Sequence, residues 1–238
     1  MPNWVRNIVK ISGKEEDVKR LQELVKGTTA FDFERIIPMP CSLKIESGSL
    51  SDDSYAAYMY ISTGAKNKRF TSLKSLYKPE STAMTDIEFV NYLVGKKKAD
   101  LQLGEKVAEN LKKYGYSDWY LWSIAKWGTK WNACDVCMPD AATYQFDTAW
   151  AAPVPILERL SKLFPNVEIS HKWADEDIGS NTGDMLYNAA GNYTYYPESC
   201  SPDAYELYAY CWGESDCLEI DNTGHYQHKD CDKCGLCC

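Results

Sequence analysis

Residues 143–173 constrain the fold more than any other stretch of this chain. TYQFDTAW (143–150) alternates in polarity, with Tyr144, Phe146, Thr148 and Trp150 on one face of a strand. Pro153 and Pro155 then open a helix whose buried side is Ile156, Leu157, Leu160, Leu163 and Phe164. VEISHKW (167–173) alternates again and sets Val167, Ile169, His171 and Trp173 together. Strand, short amphipathic helix, strand is a βαβ unit.

The start of the chain reads the same way. WVRNIVKI (4–11) is a β-branched strand. A helix follows, with Ser12 and Glu15 at capping-box spacing, Val18, Leu21, Leu24 and Val25 as its stripe, and Gly27 as its stop. FDFERII (31–37) reads as a second strand, ended by Pro38. Two such units predict an α+β fold, a ferredoxin-like βαβ-βαβ sandwich. MLYNAAGNYTYY predicts an added β-hairpin turning near 191–192, and Ser201 with Pro202 predicts a helix start. The stretch from about 41 to 126 reads as a helical insertion, with a capping box at Thr85 and Glu88 and a stop at Gly115. The expected organisation is a ferredoxin-like domain over 1–213, then a β-hairpin around NTG and a cysteine-rich tail over 214–238.

A hydrophobic content of 45% with 13% aromatics suits a packed core. No apolar run approaches the roughly 20 residues that a bilayer span needs. MPNWVRNIVK meets charge at once and has no apolar leader core, so the expected compartment is a cytoplasm, with the ten cysteines reduced. Charge is segregated. Residues 1–120 hold 19 Lys+Arg against 16 Asp+Glu, and residues 121–238 hold 7 against 18. An acidic half repels phosphate and suits a basic protein surface, so nucleic acid is not the expected partner.

MPNW, FERIIPMP (33–40), SLKIESGSLSD (42–52), WGTKWNA (127–133), FDTAW (146–150) and HKWADEDIG (171–179) stand in one order along the chain. Together they resemble the YubB ferredoxin-like family of conjugative plasmids and phages, which includes Api-type phage proteins with a ferredoxin-like domain. The resemblance covers about 1–213 and implies a ferredoxin-like fold without an iron–sulfur cluster. It also implies residence on a mobile genetic element, in the cytoplasm of a bacterial host. It brings no catalytic residues. The expected function is therefore a non-enzymatic accessory protein that binds and inhibits a host factor, a component of anti-phage or restriction defence. The alternatives are a module that binds or sequesters a small ligand or nucleotide, and a zinc-stabilised protein with no role in defence.

Two groups of residues carry that expectation. Lys130 and Trp131 lie past Gly128, and Asp147 and Trp150 lie in FDTAW; with the acidic run Asp175, Glu176 and Asp177 they are the binding candidates. The tail CDKCGLCC supplies Cys231, Cys234, Cys237 and Cys238 as metal candidates. Zinc suits soft thiolates, with Cys200, Cys211, Cys217, His225 and His228 as further donors. Cys134 and Cys137 share the C-x2-C spacing, but their flanks read as an edge strand and the thiols as small buried apolar groups. His171 is expected as a satisfied core histidine. The chain has no nucleophile elbow, phosphate-binding loop or H-E-x-x-H motif.

Overall fold

A computed structural model describes residues 2–229, without the side chains of residues 79 and 80. The chain begins with β1 (Trp4–Ser12), α1 (Glu15–Val25) and α2 (Phe33–Ile36). Helices α3 (Ser49–Thr63), α4 (Lys68–Leu76), α5 (Lys78–Ser81), α6 (Asp86–Gly95), α7 (Leu101–Tyr114) and α8 (Trp119–Trp127) follow. Then come β2 (Cys134–Asp140), β3 (Thr143–Ala149), α9 (Val154–Leu163), β4 (Glu168–Asp175), β5 (Gly183–Asn188), β6 (Gly191–Tyr195), α10 (Pro202–Trp212), β7 (Leu218–Ile220) and β8 (Tyr226–His228). These elements divide into two compact units. One holds the residues up to Pro38 and those from Ser123 onward, and the other is Met39–Trp122.

The first unit is built on a six-stranded antiparallel sheet in the order β2-β3-β1-β4-β5-β6. Its first four strands, with α1 and α9, have the ferredoxin-like connectivity. Strands β3 and β4 run parallel to each other with β1 between them, the split βαβ arrangement. The expected strand at 31–37 is instead the short helix α2. Asp32 caps it by accepting from the Glu34 N–H at 3.0 Å, and the second strand of the sheet comes from 134–140. Phe31 and Phe33 are buried, but as an aromatic wedge. Phe31 stacks on Phe146 at 5.0 Å, and Phe33 meets Phe146 and Trp127 edge-on at 5.9 Å.

The capping box expected at Ser12 and Glu15 does not form. Ser12 ends β1 opposite Glu168, and Lys14 precedes α1 without a side-chain cap. The box at Thr85 does form, and Ser201 caps α10 by accepting from the Ala204 N–H. The expected hairpin forms too, but it turns between Asn188 and Gly191, with Gly191 and Asn192 already in β6.

The sheet's register gives it two unlike faces. Val5, Asn7, Val9, Tyr144, Phe146, Ile169, His171 and Trp173 share the buried face. Arg6, Ile8 and Lys10 point the other way, with Asp147, Lys172 and Ala174. A helix covers part of this second face: Cys211 of α10 packs on Ile8 and Ala174, flanked by Tyr208 and Trp212. The Trp212 indole N–H donates to Ala174 O at 3.0 Å.

The second unit is helical. Ala56, Ala57, Phe70, Leu73, Phe89, Val90, Leu93 and Ala99 form its core. A Cβ at Gly104 would lie 2.2 Å from Ser54 O, so glycine is what lets α7 lie this close to α3. Residues 66–78 hold five basic residues and no acidic one, and three of the five are paired within the unit: Arg69 with Asp53 at 2.5 Å, and Lys66 and Lys74 with a shared Asp86. Among the described residues, no helix is long and apolar enough to cross a membrane.

Candidate binding rim

The segment WGTKWNA forms a tied-down loop after α8. Gly128 has φ +82°, and a Cβ there would lie 2.6 Å from Pro155 Cδ, so only glycine makes the turn. The Ser123 hydroxyl donates to Lys130 O at 2.8 Å, and the Thr129 hydroxyl to Ala149 O at 2.8 Å. Asn132 Oδ1 accepts from Phe33 N–H and Ala133 N–H, while its amide donates to Asp32 at 2.7 Å. Burial works to raise the Asp32 carboxyl, but hydrogen bonds from Asn132, Thr28 and Glu34 outweigh it and hold the group below the usual range.

The fixed loop presents Lys130 and Trp131 at one end of the sheet. The Lys130 ammonium lies 4.5 Å from the Trp131 ring centroid and 4.7 Å from that of Trp150. Trp131 in turn meets Trp4, centroid to centroid at 5.9 Å. An ammonium between two indole faces is a cation–π arrangement. Trp150 reaches it from a left-handed backbone, φ +72°. Its N–H donates to Asn3 O at 2.9 Å, and its carbonyl accepts from Asn181 at 3.0 Å.

Asp175 organises this end. It is buried, and it accepts from the Asn3 amide at 3.3 Å, the Asn181 amide at 3.2 Å and the Asp177 N–H at 3.0 Å. Glu176 accepts from Trp4 N–H at 3.0 Å and donates its own N–H to Trp4 O at 2.8 Å. Lys130, Trp131, Trp150, Asp175 and Glu176 are thus joined through Asn3, Trp4 and Asn181, with exposed Asp177 beside them. Asp147 has a different setting. Both its oxygens hold Arg6, at 2.9 and 3.0 Å, and the Arg6 guanidinium lies 3.9 Å over Trp212. Sequence reasoning did not single out Trp4, Asn3 or Asn181. The one signal for Asn3 and Trp4 was MPNW, an indole at the mouth of the first strand.

Residues 126–210, from the end of α8 into α10, match the family model described as the ferredoxin-like domain in Api92-like protein. This stretch of the chain is similar to that domain. No curated protein matches it. Among solved structures, the crystal structure of a protein api92 from Yersinia pseudotuberculosis aligns with a TM-score of 0.41 at 14% identity, over 83% of this chain and 99% of that one.

The matched stretch contains most of the rim. It also contains His171, which is fully buried and stacks on Trp173 at 4.8 Å. The ring is only half satisfied: Nε2 meets Asn7 Oδ1 at 2.9 Å, and Nδ1 has no hydrogen-bond partner among the described residues. Cys134 and Cys137 are not the buried pair expected at the edge strand: Cys137 is exposed and Cys134 half-buried. Cys211, just past the matched residues, is buried. Among the described residues, no three His, Cys, Asp or Glu side chains stand where they could hold a metal ion. Cys231, Cys234, Cys237 and Cys238, the zinc candidates, lie outside the described residues.

Proposed function

We propose that the protein is a non-enzymatic accessory protein of a phage or plasmid that binds a basic surface of a host protein in the bacterial cytoplasm and blocks it. The observation that carries this reading is Lys130 lodged between Trp131 and Trp150, beside Asp175, Glu176 and Asp177. The chain fills its own aromatic box with an ammonium. A partner's lysine or arginine that exchanges with Lys130 gains two indole faces and adjacent carboxylates. Charge supports the same partner. The unit bearing the rim holds 14 Lys+Arg against 24 Asp+Glu, a net of −10, whereas the helical unit holds 12 against 10. A field of that sign draws in a basic protein and repels a phosphate ligand. A component of host defence is the target that the resemblance to mobile-element proteins implies.

The test pairs a biological and a physical readout. The chain is expressed in bacteria that carry a defined restriction or CRISPR system, and phage plating is scored. Tagged protein from the same cells is weighed by native mass spectrometry. Restored plating and a co-purifying host protein are expected. Both should be lost on the double change Trp131→Ala and Trp150→Ala, with the thermal melt showing a folded chain. Unchanged plating together with a bare chain mass overturns the reading. A nucleotide-sized mass excess replaces it with ligand sequestration.

A further inference from the structure

The two edges of the sheet are unlike. β2 is a protected edge: it carries Pro139, Asp135 and Asp140, and its register shifts twice against β3. β6, GNYTY, has no charge and no proline and pairs with β5 through five residues without a shift. All five of its residues are exposed, and among the described residues no strand pairs with its outer side. Its tyrosines are open to solvent, Tyr193 at 53% and Tyr195 at 38%, with Tyr196 beyond it at 60%. An edge strand turns alternate N–H and C=O groups outward, a template for one more strand.

Beside this edge lies a cleft of about 280 Å³ under α10, whose walls include Lys172, Asp184, Tyr195, Asp203, Glu206 and Tyr210. Register explains how it is built. Ile8, Lys172, Asp184 and Tyr195 are cross-strand neighbours in one row over four strands. Lys172 pairs with Asp184 at 2.7 Å, and the Tyr195 hydroxyl donates to Asp203 of α10. Glu206, one helical turn on, has no ion-pair partner among the described residues. Three carboxylates therefore face one ammonium. The parallel row two residues away runs Ser170, Leu186, Tyr193 and ends apolar.

We propose that β6 is a docking edge for an extended segment of a partner protein, added as a seventh strand, with a lysine or arginine seated in this cleft. A strand laid along β6 continues both rows. Its residue opposite Tyr195 meets Asp203 and Glu206, so a cation fits there. Its residue two positions away meets Tyr193, so an apolar side chain fits there. Backbone pairing supplies the hold, and the paired side chains supply the selection. The site uses none of the rim residues and stands or falls apart from them.

The probe is a capped seven-residue peptide of alternating threonine and valine with a central arginine, which places valine two residues either side of it. Hydrogen exchange is followed at residues 191–195 of the full chain. At millimolar peptide these amides should slow. Binding should weaken at least about tenfold when glutamate replaces the arginine, or when the chain carries Asp203→Asn with Glu206→Gln. A peptide N-methylated along one edge should not bind. Equal binding by the N-methylated or the glutamate peptide overturns the proposal, as does the absence of protection. So does protection that grows with protein concentration alone, which assigns the edge to a second copy of this chain. Quenching of the indoles without slowing at β6 supports the rim and counts against the edge.

Discussion

Asn7 and His171 hold each other across β1 and β4, with Asn7 Oδ1 2.9 Å from His171 Nε2. The Asn7 amide nitrogen donates to Val5 O at 2.8 Å and Thr148 Oγ1 at 2.9 Å, so its oxygen faces the ring and Nε2 carries the hydrogen. Nδ1 is then a bare acceptor in the core.

Burial pushes the His171 ring down to about 3, so it stays neutral in the fold. An unfolded chain takes up the proton near the ordinary histidine value. The contribution is fully present above about pH 6.5 and is lost as pH falls from there toward about 3, by at most about 1.4 kcal/mol per pH unit. Urea melts at pH 7 and pH 5 should show that slope, and His171→Gln should reduce it. An unchanged slope in the variant contradicts the neutral, buried ring.

Asp32 ties α2 to the rim loop through Asn132 and is held below the usual carboxylate range. A depressed carboxyl stabilises above its unfolded value, and the benefit disappears as pH falls through the folded one. Asp32→Ala strips acceptors from Thr28, Glu34 and Asn132 and should cost about 2–4 kcal/mol. A double-mutant cycle with Asn132→Ala, read from urea midpoints, should give a clear coupling energy.

Gly128→Ala should destabilise the first unit by about 1–3 kcal/mol, since the new methyl meets Pro155 and the backbone is left-handed. Tryptophan emission should shift with it, because the loop carries Trp131. A melt and emission spectrum like those of the parent would remove the loop's role in placing the rim.

The thiols should separate by position. Cys137 is exposed and should react within seconds to minutes with a maleimide, whereas burial pushes Cys211 up to about 12 and should keep it unlabelled until the chain unfolds. Peptide mapping after timed quenching reads both sites.

Much of this was legible in residues 143–175, where alternation, two prolines and alternation again gave strand, helix and strand at their observed places. The second strand was not. CDVCMPD lacks alternation because it is a twice-shifted edge with Asp135 at φ +47°, while FDFERII alternates because two phenylalanines wedge one core from a capped turn. The rim was half visible. Lys130, Trp131, Trp150 and the acidic run were named from the sequence, but their joining depends on Asn3, Trp4 and Asn181, drawn from two distant segments by the sheet's register. Asp147 looked like the other carboxylates and differs because a facing arginine claims it.

β1 sits between β3 and β4, yet 130 residues lie between the end of β1 at Ser12 and the start of β3 at Thr143. On the ribosome, the first strand therefore emerges long before either neighbour exists. At roughly 5–20 residues per second it waits about ten to thirty seconds for β4, and closing so wide a loop is slow in any refolding experiment. The helices of Met39–Trp122 are made in that interval from contacts internal to their own contiguous stretch. Of the six strands in this sheet, β1 thus waits longest for its partners.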